Sequence, residues 1–278
     1  MHAIARHSPA PAVEADIGFL EPSTESLFTY AHDDPPGATS SNTRFMPHRV
    51  RIRDVRTTDA LLLDANGAEL GDWPTAFRSF YDPEAVREWY YPEAAEIIGV
   101  VTGADRVVVF DHNVRRGESL AARAGLSGIS HPVRHAHVDF TAQSAPLRLG
   151  RELNALGERL DCSRCVQLNL WRPIRAPLRD APLAICDGAS VSAESLRNVE
   201  LRYPDRLGEI YYLTYAPSQR WYYASDMRIN EAWLFKNHDS AESTGRQGLA
   251  PHSAFDDPNW PLAPPRESIE VRAFALFD

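Results

Sequence analysis

From residue 166 to the C-terminus this chain is a succession of short apolar or alternating segments separated by polar turns, and that pattern limits the folds open to it. The segments fall at 166–171, 183–186, 209–215, 221–224, 232–235 and 269–277. They are short, and several are rich in β-branched and aromatic residues, so each reads as a strand. Many short strands joined by turns close into a barrel or a two-sheet sandwich. A further β-branched run, Val107-Val108-Val109, marks a buried strand over 106–110.

Two helical patterns precede the strand-rich half. Asp82 before Pro83 is an N-cap signal. Val86, Trp89 and Tyr90 share a face, and Ile97, Ile98 and Val101 carry the stripe past Pro92, which must break or kink the helix, to Gly103. Over 144–160, Leu149, Leu153, Leu156 and Leu160 recur at helical spacing. The reading is a mainly β protein with flanking helices. Asn66-Gly67, after Leu61-Leu62-Leu63, predicts a hairpin turn. Residues 1–16, rich in Ala, Pro and His, are expected to be mobile, and 33–42 to be a loop. The division expected is an N-terminal extension, 1–50, and a single domain, 51–278.

Charge and cysteine content remove some function classes. The net charge of −9 disfavours a nucleic-acid partner, which wants a basic face. No apolar run has the length of a membrane span, and Met1 to Asp16 lacks the apolar core of a secretory signal, so a cytoplasmic protein is expected. Cys162-Ser163-Arg164-Cys165 has a zinc-like spacing without a second Cys/His pair at a suitable distance, and buried thiols beside a strand are the simpler reading.

The chemistry concentrates in Arg134-His135-Ala136-His137-Val138-Asp139-Phe140-Thr141. Read as a strand, it points residues two apart to one face. His137 and Asp139 then aim an imidazole and a carboxylate at one point, two-thirds of the facial triad that holds a non-heme Fe(II) and leaves positions free. With 10 His and 38 acidic residues in 278, chance supplies about one such pair, so the surroundings must carry the case. The last strand offers one. Arg266, Ser268, Glu270, Arg272 and Phe274 share a face opposite Ile269, Val271, Ala273 and Ala275. A charged inner face needs partners; a bound dicarboxylate and an ion pair with a neighbouring strand are equally good candidates.

Four stretches together resemble the CmcJ/AsaB-like proteins, natural-product oxygenases related to the cephamycin hydroxylase component. They are Val107-Val108-Val109-Phe110-Asp111-His112 with the 133–141 segment; Leu168-Asn169-Leu170-Trp171-Arg172-Pro173; Leu234-Phe235-Lys236-Asn237-His238-Asp239-Ser240; and Pro251-His252-Ser253-Ala254-Phe255 with Pro265-Arg266-Glu267-Ser268-Ile269-Glu270-Val271-Arg272. The resemblance runs from about Asp54 to the C-terminus. It implies a double-stranded β-helix (jelly-roll) enzyme using Fe(II), 2-oxoglutarate and O2. Carried onto this chain, the metal ligands are His137, Asp139 and His252. Arg266-Glu267-Ser268 looks like the Arg-x-Ser that grips a co-substrate carboxylate in isopenicillin-synthase-type oxygenases, so Arg266 and Ser268 would hold the distal carboxylate of 2-oxoglutarate. Arg272, more surely inside the last strand, is the rival anchor, and Asn169 a polar contact at the site.

This chain departs from the family at His238, where an aromatic residue is usual, so His238 rivals His252 as ligand or contacts substrate. His135 and Arg172 complete the candidate substrate contacts. The expected function is hydroxylation, desaturation or cyclisation of a small natural-product molecule, by a chain that could be a homo-oligomer. Two other classes are a cupin-type metal enzyme that does not use 2-oxoglutarate and an accessory partner of a biosynthetic methyltransferase.

Overall fold

The computed structural model describes residues 11–30, 41–117, 129–159, 161–241 and 248–278. Residues 1–10, most of the loop expected at 33–42, and Leu160 lie outside the described residues. Two sheets face each other. The larger has nine strands: β1 (Ala12–Leu20), β2 (Leu27–Tyr30), β3 (Phe45–Asp54), β7 (His137–Val138), β9 (Leu183–Cys186), β10 (Leu196–Arg202), β11 (Leu207–Leu213), β12 (Trp221–Tyr223) and β14 (His252–Ala254), in the order β1-β3-β12-β9-β14-β7-β11-β10-β2. The smaller has six: β4 (Ala68–Asp72), β5 (Arg106–Arg116), β6 (Ile129–Ser130), β8 (Arg164–Pro173), β13 (Glu231–Asp239) and β15 (Glu267–Phe277), in the order β4-β13-β8-β15-β5-β6. This is the mainly β jelly roll expected from the sequence, with four α-helical segments among the described residues: α1 (Leu63–Asn66), α2 (Pro83–Ala85), α3 (Tyr91–Thr102) and α4 (Ser144–Ala155).

The alternation in β8 and β15 decides what faces what. Val166, Leu168 and Leu170 of β8 and Ile269, Val271, Ala273 and Ala275 of β15 pack outward against Ala94, Ile97 and Ile98 of α3. Their in-between neighbours therefore point into the space between the sheets. The helical run from Pro83 starts where Asp82 caps it, its carboxylate accepting from Glu84 N–H at 3.0 Å and Ala85 N–H at 3.2 Å. Pro92 does not break it; a π-turn over Val86–Tyr90 absorbs the irregularity, and Gly103 closes α3 in the left-handed conformation at φ 67°.

Three expectations change. The Asn66-Gly67 signal ends a one-turn helix, not a hairpin: Gly67 takes φ 78° and its N–H bonds Leu63 O, so the left-handed residue serves as a helix cap. The strand expected over 134–141 is ladder-paired only at His137–Val138. Finally, Ala12–Leu20 is a full strand whose nine residues pair with β3, and a boundary at residue 50 falls inside β3. Gly18 also bridges His135, exchanging bonds with Arg134 O at 3.1 Å and Ala136 N–H at 2.8 Å. A Cβ at residue 18 would sit 2.8 Å from Arg134 O, so only glycine lets the two backbones approach.

Candidate metal centre

β7 and β14 are adjacent, with His137 directly opposite His252, so two segments 115 residues apart present their imidazoles side by side, ring centroids 4.3 Å apart. His137, Asp139 and His252 each offer a ligand atom within 4.8 Å of the others, the one such group among the described residues. Asp139 Oδ1 lies 3.6 Å from His137 Nε2.

The tautomers follow from the hydrogen bonds. His137 Nδ1 lies 2.9 Å from His135 O and His252 Nδ1 lies 3.3 Å from Ala250 O. A carbonyl only accepts, so each Nδ1 carries the proton and each Nε2 keeps a lone pair for the centre. Burial pushes the His137 pKa down to about 3, with neighbouring His252 adding to it, and burial also lowers that of His252. Both rings are therefore neutral at physiological pH. Burial alone would raise the pKa of Asp139, but Arg272, the two histidines and the Asn169 hydrogen bond outweigh it and hold the carboxyl below its usual range. Two neutral imidazoles and one carboxylate are the donor set that suits a divalent transition metal with positions left over.

The surroundings divide into a narrow slot and a wide cavity. The slot is bounded by His137, His252, Ser253, Arg115, Arg266 and Glu270. Arg266 is almost fully buried; its Nε donates to Ser268 Oγ at 2.9 Å and its Nη1 to Ala181 O at 2.8 Å. Trp171 lies 5.0 Å from its guanidinium carbon. Burial, reinforced by Arg115, lowers the Arg266 pKa to about 9, which leaves it charged at neutral pH. Burial also raises Glu270 to about 7, with Asp139 adding to the shift and Arg115 opposing it.

The wide cavity, about 430 Å³, opens on His137 and Asp139. Phe140, Leu201, Tyr203, Ile210 and Tyr212 give it apolar walls, and Arg115, Arg148 and Arg272 lie among its polar groups. His135 lines it too, stacked on Phe45 at 4.2 Å and edge-on to Tyr212 at 4.9 Å. Phe45, in the expected extension, thus shapes this wall.

Three candidates stand elsewhere than the sequence placed them. Arg272 does not border the slot; its Nε bonds Asp111 Oδ1 at 2.6 Å and its Nη1 lies 3.7 Å from Asp139 Oδ2. Arg172 sits on the outward face of β8, fully buried, donating to Trp73 O at 2.9 Å and lying over Tyr90. It cannot reach a substrate in the cavity, because consecutive strand residues face opposite ways. His238 follows a register shift between Lys236 and His238, is buried, and stands outside the ligand group. Neither of its ring nitrogens has a hydrogen-bond partner among the described residues. Asn169 does reach the site, donating to Asp139 Oδ2 at 2.8 Å. Asp111, Arg115, Asn237 and Tyr212 had no assigned role in the sequence reading. Asp111 and Asn237 lay in the family-like stretches; Arg115 carried no signal.

Known proteins resemble this chain over nearly its whole length. A family model described as an oxidoreductase/YMDC permease-like domain matches residues 17–276. Despite that wording, no helix among the described residues is long and apolar enough to cross a membrane. The chain is 34% identical over 277 residues to the Fe(II)/2-oxoglutarate-dependent dioxygenase nvfI of Aspergillus novofumigatus (strain IBT 16806), covering 95% of this chain and 96% of that one. It is 31% identical to the alpha-ketoglutarate-dependent dioxygenase phiK of Fungal sp. (strain ATCC 74256), covering 96% and 99%. A solved structure of the iron and alpha-ketoglutarate-dependent endoperoxidase NvfI superposes with a TM-score of 0.81 at 28% identity, over 96% of this chain and 98% of that one. The accessory-protein and 2-oxoglutarate-independent readings give way: this chain belongs to the Fe(II)/2-oxoglutarate-dependent dioxygenases.

Proposed function

We propose that this protein is an oxygenase of the CmcJ/AsaB-like group, in which His137, Asp139 and His252 hold Fe(II) and Arg266 with Ser268 holds the distal carboxylate of 2-oxoglutarate. The observation that carries the ligand assignment is the pairing of His137 with His252, each Nδ1 fixed to a backbone carbonyl, with a ligand atom of each within 4.8 Å of the Asp139 carboxylate. The anchor assignment rests on a buried cation, Arg266, that shares one slot with two ligand residues and donates to Ser268 Oγ at 2.9 Å. When bound, the iron with 2-oxoglutarate and dioxygen supplies the oxidising power to remove hydrogen from an unactivated C–H bond, with 2-oxoglutarate leaving as succinate and CO2.

The chain's own residues do the rest. Arg266 and Ser268 orient the co-substrate along the slot, away from the wide cavity. Phe140, Tyr203, Ile210 and Tyr212 hold an apolar substrate over the centre and exclude water, and His135 offers it a polar contact. A cavity of about 430 Å³ suits a compact natural-product scaffold. Hydroxylation, desaturation and ring closure, including the endoperoxide formation for which NvfI is named, share the removal of a substrate hydrogen and differ in how these walls hold the carbon centre that is left. A single domain running from Ala12 to the C-terminus is supported by the pairing of β1 with β3, and a cytoplasmic location by three unpaired cysteines.

The test is Fe(II)-dependent conversion of 2-oxoglutarate to succinate by the purified protein. Asp139→Ala is expected to abolish it with the far-UV circular dichroism unchanged; full activity in that variant would sink the ligand assignment.

A further inference from the structure

Beneath the candidate metal carboxylate, the six-stranded sheet carries a row of three directly opposed residues. Arg272 of β15 stands opposite Asn169 of β8 on one side and Asp111 of β5 on the other. Side chains opposite one another across a sheet are within contact distance. Asn169 donates to Asp139 Oδ2 at 2.8 Å, Arg272 Nη1 lies 3.7 Å from the same oxygen, and Arg272 Nε bonds Asp111 Oδ1 at 2.6 Å. The other oxygen of Asp139, Oδ1, is the one nearest His137 Nε2.

The row is backed on both sides. Gln167 Nε2 donates to Asn169 Oδ1 at 2.9 Å, which fixes the Asn169 amide with its N–H groups toward Asp139. The Asp139 backbone N–H donates to Asn237 Oδ1 at 3.1 Å. Arg148 Nη2 lies 3.6 Å from Asp111 Oδ2. Both Asn237 and Asp111 adjoin register shifts, one between Lys236 and His238 of β13, the other between Arg272 and Ala273 opposite β5. Bulges of this kind re-aim side chains next to active sites.

We infer that Asn169 and Arg272 clamp the outer oxygen of Asp139, so that it offers the metal a single oxygen, and that Asp111 is the positioning residue that aims Arg272. The inference rests on the proposed ligand set. A free carboxylate rotates and can chelate through both oxygens, which would occupy one of the positions that co-substrate and dioxygen need. A neutral amide and a guanidinium on Oδ2 prevent that rotation. Arg272 is thereby committed to the metal side, which leaves Arg266 as the anchor in the slot.

The experiment titrates metal-free protein with Mn(II) alone and follows the free ion by electron paramagnetic resonance. Wild type and Asp139→Ala set the reference. Asn169→Ala and Asp111→Asn are each expected to weaken Mn(II) binding by about tenfold or more, with the thermal midpoint close to that of wild type, and Asp111→Glu to recover most of the loss. Wild-type affinity in both variants, in a protein that loses Mn(II) on Asp139→Ala, overturns the clamp and leaves the ligand set standing. A wild type whose Mn(II) affinity ignores Asp139→Ala overturns both. Should Asn169→Ala fail to fold, Asp111→Asn, at a half-buried position, decides alone.

Discussion

The two faces of the six-stranded sheet are made from the same strands and do opposite work. On the outer face of β8 and β15, Leu168, Leu170, Val271 and Ala273 are fully buried under α3 and bring no polar side-chain group. On the inner face of the same strands, Asn169, Ser268 and Glu270, with Arg266 just before β15, are also buried, and charge or hydrogen-bonding capacity is retained at each. Burying apolar area stabilises; burying charge costs unless partners compensate. The outer face therefore holds the sheet flat against the helices, and the inner face can carry groups that would not otherwise be tolerated. Outer-face changes should therefore act on stability, inner-face changes on ligand affinity.

The largest effect expected from an inner-face change, short of losing a metal ligand, is at Arg266. Arg266→Met should raise the dissociation constant for 2-oxoglutarate by roughly 100-fold, the loss of about 2–3 kcal/mol of charge-assisted hydrogen bonding. Ser268→Ala should cost nearer tenfold, about 1.4 kcal/mol. Calorimetric titration of the Mn(II)-loaded protein reads both, and an unchanged constant for Arg266→Met would move the anchor elsewhere.

On the outer face, Leu170→Ala should lower unfolding free energy by about 2–5 kcal/mol through lost transfer energy and a residual cavity. Urea denaturation measures it. The folded fraction should bind Mn(II) and 2-oxoglutarate as wild type does, and a large affinity change would blur the division between the faces.

Arg172 is the exception that sharpens the comparison, a guanidinium on the apolar side with Nε and Nη2 lacking hydrogen-bond partners among the described residues. Its ion-pair partner, Glu93 at 3.9 Å from Nη2, is partly exposed, so removing the guanidinium leaves no fully buried charge behind. Arg172→Met should change stability by less than about 2 kcal/mol and leave both ligand affinities alone. Weakened substrate turnover without any loss of stability would restore the substrate role read from the sequence.

The smallest effect is a pH limb at the end of β13. Burial would raise the Asp239 pKa, but Arg164 at 2.6 Å and Lys236 at 3.0 Å bring it down to about 2. The folded value is depressed below the unfolded one, so this contribution is complete above about pH 4 and is lost as pH falls toward 2. Asp239→Asn should flatten that part of the stability–pH curve; an unaltered acid limb would mean that other carboxylates set it.

What the sequence disclosed follows the same division. The alternation of Ile269, Val271, Ala273 and Ala275 announced an outward face because burial imprints a two-residue period. The spacing of His137 and Asp139 announced a shared direction, although only His137 and Val138 are ladder-paired. The rest depends on which strands become neighbours. That Arg272 stands between Asn169 and Asp111 is a fact of pairing among β5, β8 and β15, and residues so distant in the chain leave no local signal. Arg172 was misplaced because a family-like stretch was read without its parity, which sets it opposite Asn169. The strand at Ala12–Leu20 was missed because Ala and Pro around it outweighed the alternation of Val13, Ala15, Ile17 and Phe19, all buried on one side.

On the proposed assignment, His137, Asp139 and His252 hold Fe(II) and the slot beside them holds 2-oxoglutarate. The most direct measurement is the visible spectrum of the protein reconstituted anaerobically with Fe(II) and then given 2-oxoglutarate. A weak metal-to-ligand charge-transfer band is expected in the wild type, absent in Asp139→Ala and, at the same 2-oxoglutarate concentration, strongly reduced in Arg266→Met. Bound iron with no band on adding 2-oxoglutarate, or a band of full strength in Asp139→Ala, would contradict it.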